Sequence, residues 1–191
     1  MRRLPTLGCV VLVAVAGCGG GGGSGTDLEQ GPAVAGFRFT EASAVAEGEP
    51  IDARFTCDGD DLSPGLSWEG IPEGTQELVL ALEDPDAPGA TFTHWLVYGL
   101  DPRSAALPEG IPQEAEVAAL AGLHQGENDF GDVGYGGPCP PGGEEHRYIF
   151  RLLSLDAPLE LEPGAGRAAF DDAVVPHVLA EARLTATYAR R

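Results

Sequence analysis

Short apolar runs alternate along the chain with polar breaks rich in glycine and proline. Phe37-Arg38-Phe39-Thr40 and Ile51-Asp52-Ala53-Arg54-Phe55 place apolar residues at every second position, the period of a half-buried strand. Leu66-Ser67-Trp68 predicts a short strand stopped by Gly70-Ile71-Pro72. Gln76 to Glu83 contains the nearly unbroken run Leu78-Val79-Leu80-Ala81-Leu82, which suits a central strand buried on both faces. The turn Asp84-Pro85-Asp86-Ala87-Pro88-Gly89 ends it, and Phe92 to Leu100 resumes as a second buried strand. Glu114 to Leu120 suggests a short helical turn, Gly122 to Gly143 a long loop, and Tyr148 to Leu155 a strong strand in which Arg151 faces outward or pairs with an acid. Phe170, Val174, Val175, Val178 and Leu179 form a helical stripe within Ala168 to Ala182, kinked or begun at Pro176. Arg183 to Tyr188 alternates again as a closing strand. About seven strands with one or two short helices predict a mainly β domain.

The first residues carry a different message. Arg2 and Arg3 precede an apolar stretch from Leu7 to Val15, too short to span a bilayer, and the segment ends in Val15-Ala16-Gly17-Cys18. This pattern predicts a lipoprotein signal peptide over residues 1–17, with the small-small-Cys ending marking lipid attachment to Cys18. Residues 18–36, with Gly19 to Gly23 unbroken, read as a Gly-rich tether, and 37–191 as the single folded domain. The expected location is the cell envelope, extracytoplasmic and held to a membrane through lipid.

Charge narrows the partners. The chain has 30 acidic residues against 11 arginines, with no lysine and a formal net charge of -19. A surface this acidic repels phosphate backbones, which argues against nucleic acid as a partner.

The polar chemistry gathers at the ends of the apolar runs. Asp84 and Asp86 follow one, His94 opens the next, and His146-Arg147-Tyr148 opens a third after the loop Gly134-Tyr135-Gly136-Gly137-Pro138-Cys139-Pro140-Pro141. Side chains there converge at a sheet rim on rigid supports. On residue type alone, His94 beside Trp95 reads equally as a packed core histidine or a ligand contact, and His146 equally as an exposed strand opener. No Gly-x-Ser-x-Gly elbow is present, and neither Cys57 nor Cys139 stands in a nucleophile setting, so the expectation is not an enzyme and needs no cofactor or metal.

The motifs Ser63-Pro64-Gly65-Leu66-Ser67-Trp68, Asp84-Pro85-Asp86-Ala87-Pro88, His94-Trp95-Leu96-Val97, Gly134 to Pro141 and His146-Arg147-Tyr148, in this order, resemble the phosphatidylethanolamine-binding protein family, in its bacterial Raf-kinase-inhibitor-like branch. The resemblance spans about Phe37 to Arg190. It implies an antiparallel β-sandwich with a ligand pocket at one edge, lined by Asp84, Asp86, His94, His146 and Tyr148 and walled by Pro140 and Pro141, with Gly136 and Gly137 letting backbone approach the ligand. The implied partner is a small anionic or zwitterionic molecule such as a phospholipid headgroup. The alternative is an inhibitor or interaction protein acting on an extracytoplasmic hydrolase or signalling protein. In an oxidising compartment the even pair Cys57 and Cys139 is expected to form a disulfide, as in the bacterial branch.

Overall fold

The computed structural model describes residues 30–120 and 122–190. The signal peptide and Cys18 lie outside the described residues.

Among the described residues, eight strands form two antiparallel sheets. The small sheet pairs β1 (Arg38–Phe39) with β2 (Leu66–Glu69) and β2 with a later strand, β5 (Ala106–Leu107). The large sheet is built from β3 (Glu77–Asp84), β4 (Phe92–Leu100), β6 (His124–Gln125), β7 (Glu145–Leu155) and β8 (Val178–Ala189), in the order β6-β4-β3-β7-β8. A helix, α1 (Arg167–Val174), lies against the outer face of the large sheet.

The central strand β3 explains the layering. Its even positions Leu78, Leu80 and Leu82 face the small sheet and pack with Phe39, Trp68, Trp95 and Phe150. Its odd positions Val79 and Ala81 face the other way, onto Leu96, Leu153, Phe170 and Val174 beneath α1. All eight residues of β3 are buried. A strand with period-two side chains needs an unbroken apolar run only when both faces are covered. The fold is therefore a mainly β sandwich with one short α-helix.

Three sequence expectations are corrected. Ile51 to Phe55 is not a strand: Asp52 accepts the Arg54 N–H at 3.0 Å and caps a 3-10 turn over Ala53–Phe55, while Ile51 only docks on the edge of β8. Glu114 to Leu120 forms no helix, because Gln125 takes the carbonyls of Pro112 and Glu114 through Nε2 and that of Ala115 through its backbone N–H. The stripe at Ala168 to Ala182 breaks at Pro176. There α1 passes through a 3-10 turn, Val175–His177, and Ala180, Ala182 and Leu184 turn their apolar alternation into β8. The last part of the expected tether is also fixed, since Gly31 donates to Glu181 Oε2 at 2.6 Å and Pro32 accepts from Glu181 N–H at 3.0 Å.

Candidate ligand-binding site

Asp84 ends β3 on the even, inward-facing register. Two residues into β7, on the same face, stands His146, and its Nδ1 lies 2.7 Å from Asp84 Oδ2. A carboxylate accepts only, so Nδ1 carries the hydrogen, and Nε2 has Glu144 Oε2 at 3.7 Å. The second Asp84 oxygen accepts the Asp86 N–H at 2.9 Å, closing the turn after β3.

His94 reaches the same side by a bulge. Leu82 pairs with Trp95 and Glu83 with Thr93, so His94 is the extra residue opposite β3. Without the bulge, the alternation that buries Trp95 and Val97 would have aimed Thr93 inward and His94 toward α1. The bulge reverses this, as bulges beside binding sites commonly do. His94 Nδ1 lies 2.7 Å from the Gly136 carbonyl and must donate to it, which leaves Nε2 as an acceptor while the ring is neutral. Tyr148 sits beneath, edge-on to His94 with ring centroids 5.3 Å apart.

The two imidazoles are tuned in opposite directions. Burial pushes the His94 pKa down, and the Gly136 carbonyl and the charge of Asp84 only partly offset it. Burial also opposes protonation of His146, but the hydrogen bond and charge of Asp84, helped by Glu144, outweigh it and raise that pKa. Near neutral pH the site pairs a neutral acceptor, His94, with an imidazole held toward its cationic form. The Tyr148 hydroxyl is buried without a hydrogen-bond partner; burial pushes its pKa up, and Asp84, close but outside bonding geometry, adds to the shift.

Asp84, His94 and His146 open onto a cleft of about 320 Å³ walled by Phe92, Phe130, Cys139, Pro140, Pro141 and Arg190. That volume is at the small end of ligand sites and suits a headgroup, not an acyl chain. A neighbouring groove of about 660 Å³ is larger, but it has no imidazole, and its Asp58 is occupied by Tyr188 Oη at 2.8 Å and Arg190 Nε at 3.1 Å. Convergent, unsatisfied polar groups single out the smaller cleft.

The sequence profile described as phosphatidylethanolamine-binding protein matches residues 41–189. The chain belongs to the phosphatidylethanolamine-binding protein family. Among its relatives, a UPF0098 protein of Methanothermobacter thermautotrophicus is 46% identical over 140 residues, covering 73% of this chain and 91% of the relative. LppC of Mycobacterium tuberculosis, named as a lipoprotein, is 38% identical over 159 residues, covering 82% and 75%. The crystal structure of YbcL from E. coli, described as a new member of the mammalian PEBP family, superposes with a TM-score of 0.76 at 30% identity, covering 82% of this chain and all of that one. The homologue CT736 from Chlamydia trachomatis superposes with a TM-score of 0.71 at 35% identity, covering 81% of this chain and 98% of that one. Family membership supports a binding function in general terms.

Within this family frame, Asp84, His94, His146, Pro140 and Pro141 surround the cleft, and Tyr148 lies behind His94. Asp86 stands apart. Both its oxygens are taken by Arg147, at 2.8 and 2.6 Å from Nε and Nη2, and that bidentate pairing lowers its pKa to about 2. Gly136 and Gly137 approach protein rather than the cleft: a Cβ on Gly136 would lie 2.6 Å from the Phe130 ring, and one on Gly137 would strike the Asp61 carboxylate and the Phe55 carbonyl. Cys57 and Cys139 form a disulfide with Cα atoms 5.4 Å apart. Together with the Cys57 N–H donating to the Pro138 carbonyl at 3.2 Å and Tyr135 Oη to the Phe55 carbonyl at 2.6 Å, it ties the Gly136 loop to its support. The sequence reading missed Phe92, Phe130 and Arg190. An aromatic inside the polar loop Asn128-Asp129-Phe130-Gly131 was the available signal for Phe130; Arg190, a cation at the end of the last strand, had none.

Proposed function

We propose that this chain is a non-enzymatic binder of a small phosphate-bearing or zwitterionic molecule, held at the outer side of a membrane by lipid on Cys18. The observation that carries the reading is the pair of imidazoles with opposed proton affinities facing one headgroup-sized cleft. His146, charged, donates from Nε2 to an anionic oxygen. His94, neutral, accepts the hydrogen of a phosphate monoanion or takes up a proton as the anion docks. Arg190, already paired through Nε with Asp58 at 3.1 Å, stands at the rim, and an ammonium on the same ligand finds Glu144, whose Oε2 lies 3.7 Å from His146 Nε2. The only sulfur at the cleft wall is tied up as a disulfide and offers no thiolate nucleophile, which favours binding over catalysis. Envelope localisation is supported by the name of the LppC relative and by the Val15 to Cys18 pattern.

Calorimetric titration of residues 26–191 with phosphoethanolamine tests this. Affinity should fall between pH 6 and a pH above the raised His146 pKa, and His146→Gln should weaken binding at pH 6 by about tenfold or more, the scale of a lost charge-assisted hydrogen bond. Equal affinity at both pH values and in the variant would remove the imidazole mechanism. No heat at either pH would make a protein partner, such as an inhibited hydrolase, the leading reading.

A further inference from the structure

The cleft has a second chemical character. Phe130 is 48% exposed, and among the described residues it is the only aromatic among the exposed large apolar side chains. The others, Val34, Leu62 and Val175, do not line the cleft.

The ring is not loosely placed. The Phe130 N–H donates to Asn128 Oδ1 at 3.0 Å, and Asn128 Nδ2 donates to the Gly134 carbonyl at 3.0 Å. Asp129 and Thr93 clasp each other, with Thr93 N–H to Asp129 Oδ2 at 2.6 Å and Asp129 N–H to the Thr93 carbonyl at 2.9 Å. This clasp joins the Phe130 loop to the residue beside the His94 bulge. Phe130 stands edge-on to Phe92, with centroids 4.7 Å apart, and to His94 at 5.4 Å. Only a glycine at position 136 leaves room for it.

A loop held by this many hydrogen bonds, presenting a half-exposed aromatic ring over a ligand cleft, is a preformed apolar contact. The lining is thus mixed. Asp84, His146 and Arg190 supply its polar part, and Phe92, Phe130 and Pro88 its apolar part. A protein partner would need a broader apolar patch than one ring, so the occupant is small.

We infer that Phe130 is a specificity-determining residue that selects phosphate esters carrying an apolar substituent over those carrying a bare or ammonium-bearing one. The inference rests on the phosphate-binding reading of the same cleft and deepens it.

The test compares methyl phosphate, phosphoethanolamine and n-butyl phosphate, which share the phosphate and differ in what it carries, by calorimetry on the mature chain at pH 6. Burying a short alkyl group against the ring predicts n-butyl phosphate binding roughly five- to tenfold tighter than methyl phosphate. Phe130→Ala should bring that ratio close to one, and Phe130→Leu, which keeps apolar bulk, should retain most of it. Equal binding of the esters, a preference for phosphoethanolamine, or a ratio that survives Phe130→Ala overturns this inference alone. Failure of all three ligands to bind, methyl phosphate included, overturns the phosphate reading beneath it as well.

Discussion

Glu83 and Asp84 are neighbours in β3, yet their carboxylates lie on opposite faces of the large sheet and meet opposite surroundings. On the α1 face, Glu83, Asp171 and Glu181 meet Arg151, Arg167 and Arg183. Arg151 Nε lies 2.7 Å from Glu181, Arg167 Nη2 2.9 Å from Glu83, and Arg167 Nε 2.7 Å from Asp171. Arg183 adds a second cation to Glu181 at 2.5 Å. Burial alone would raise the Glu181 pKa, but Arg151 and Arg183 hold it below the usual carboxylate range. Three cations answer three anions, in a layer buried at Arg151 and the three carboxylates and open to solvent at Arg183. On the inward face, Asp84 has His146, and His94 and His146 line the cleft, while Tyr148 Oη, buried behind His94, has no partner. One face of the same strand is closed to further chemistry, and the other keeps bonding capacity for something not part of the chain. Polar groups buried in balanced sets serve the fold; those left short at a cleft serve a ligand.

The contrast breaks most severely at Arg151. Arg151→Met removes the buried cation between Glu83 and Glu181 and leaves each with one arginine, Arg167 and Arg183, so a loss of about 3 kcal/mol in urea unfolding, the lower end for a broken buried pair, is expected, with little change in ligand affinity for whatever protein remains folded. Asp84→Asn, on the other face, should cost less stability, about 1.5–3 kcal/mol for one charge-assisted hydrogen bond, while lowering the His146 pKa as followed by imidazole NMR.

The pH dependence has a defined sign. His146 has its folded pKa raised, so its stabilising contribution is complete below the unfolded value near 6.5 and is lost as pH rises through the folded value. His94 has its folded pKa lowered, so its contribution is present above about 6.5 and is lost as pH falls. In Asp84→Asn the decline on the alkaline side should shrink, and a profile identical to the parent's would show that Asp84 does not hold the proton on His146. The smallest effect sharpens the contrast at single hydroxyls. Tyr135→Phe deletes a bonded one, 2.6 Å from the Phe55 carbonyl, and should cost about 1 kcal/mol, whereas Tyr148→Phe deletes an unpartnered one and should be neutral or slightly stabilising by thermal melts.

These two faces were unequally legible in the sequence. The unbroken run in β3 announced a strand covered on both sides, and β7 and β8 were readable from their own apolar patterns. The strand ends that carry Asp84, His94 and His146 were visible too, and the family motifs gave them a shared purpose. The sense of His94 was not, because a bulge is decided by which partner residue is skipped, and no local pattern records that. The network around Arg151 was equally hidden: its six members come from β3, β7, α1 and β8, so only the register brings them together. Asp86 shared a motif with Asp84, but the side-chain fork of Arg147 claimed it. Ile51 to Phe55 had the alternation of a strand, and a single aspartate cap overrode it.

The disulfide has a topological consequence. Cys57 and Cys139, 82 positions apart, close a covalent ring that holds β2 through β6, with Asp84 and His94 inside it, whereas His146, β7 and β8 lie beyond its closing point. The cleft is therefore assembled across a seam. A chain cut once in the turn between β3 and β4 remains a single covalent object, and when β7 and β8 peel from the sheet, the ring stays shut while His146 departs from Asp84.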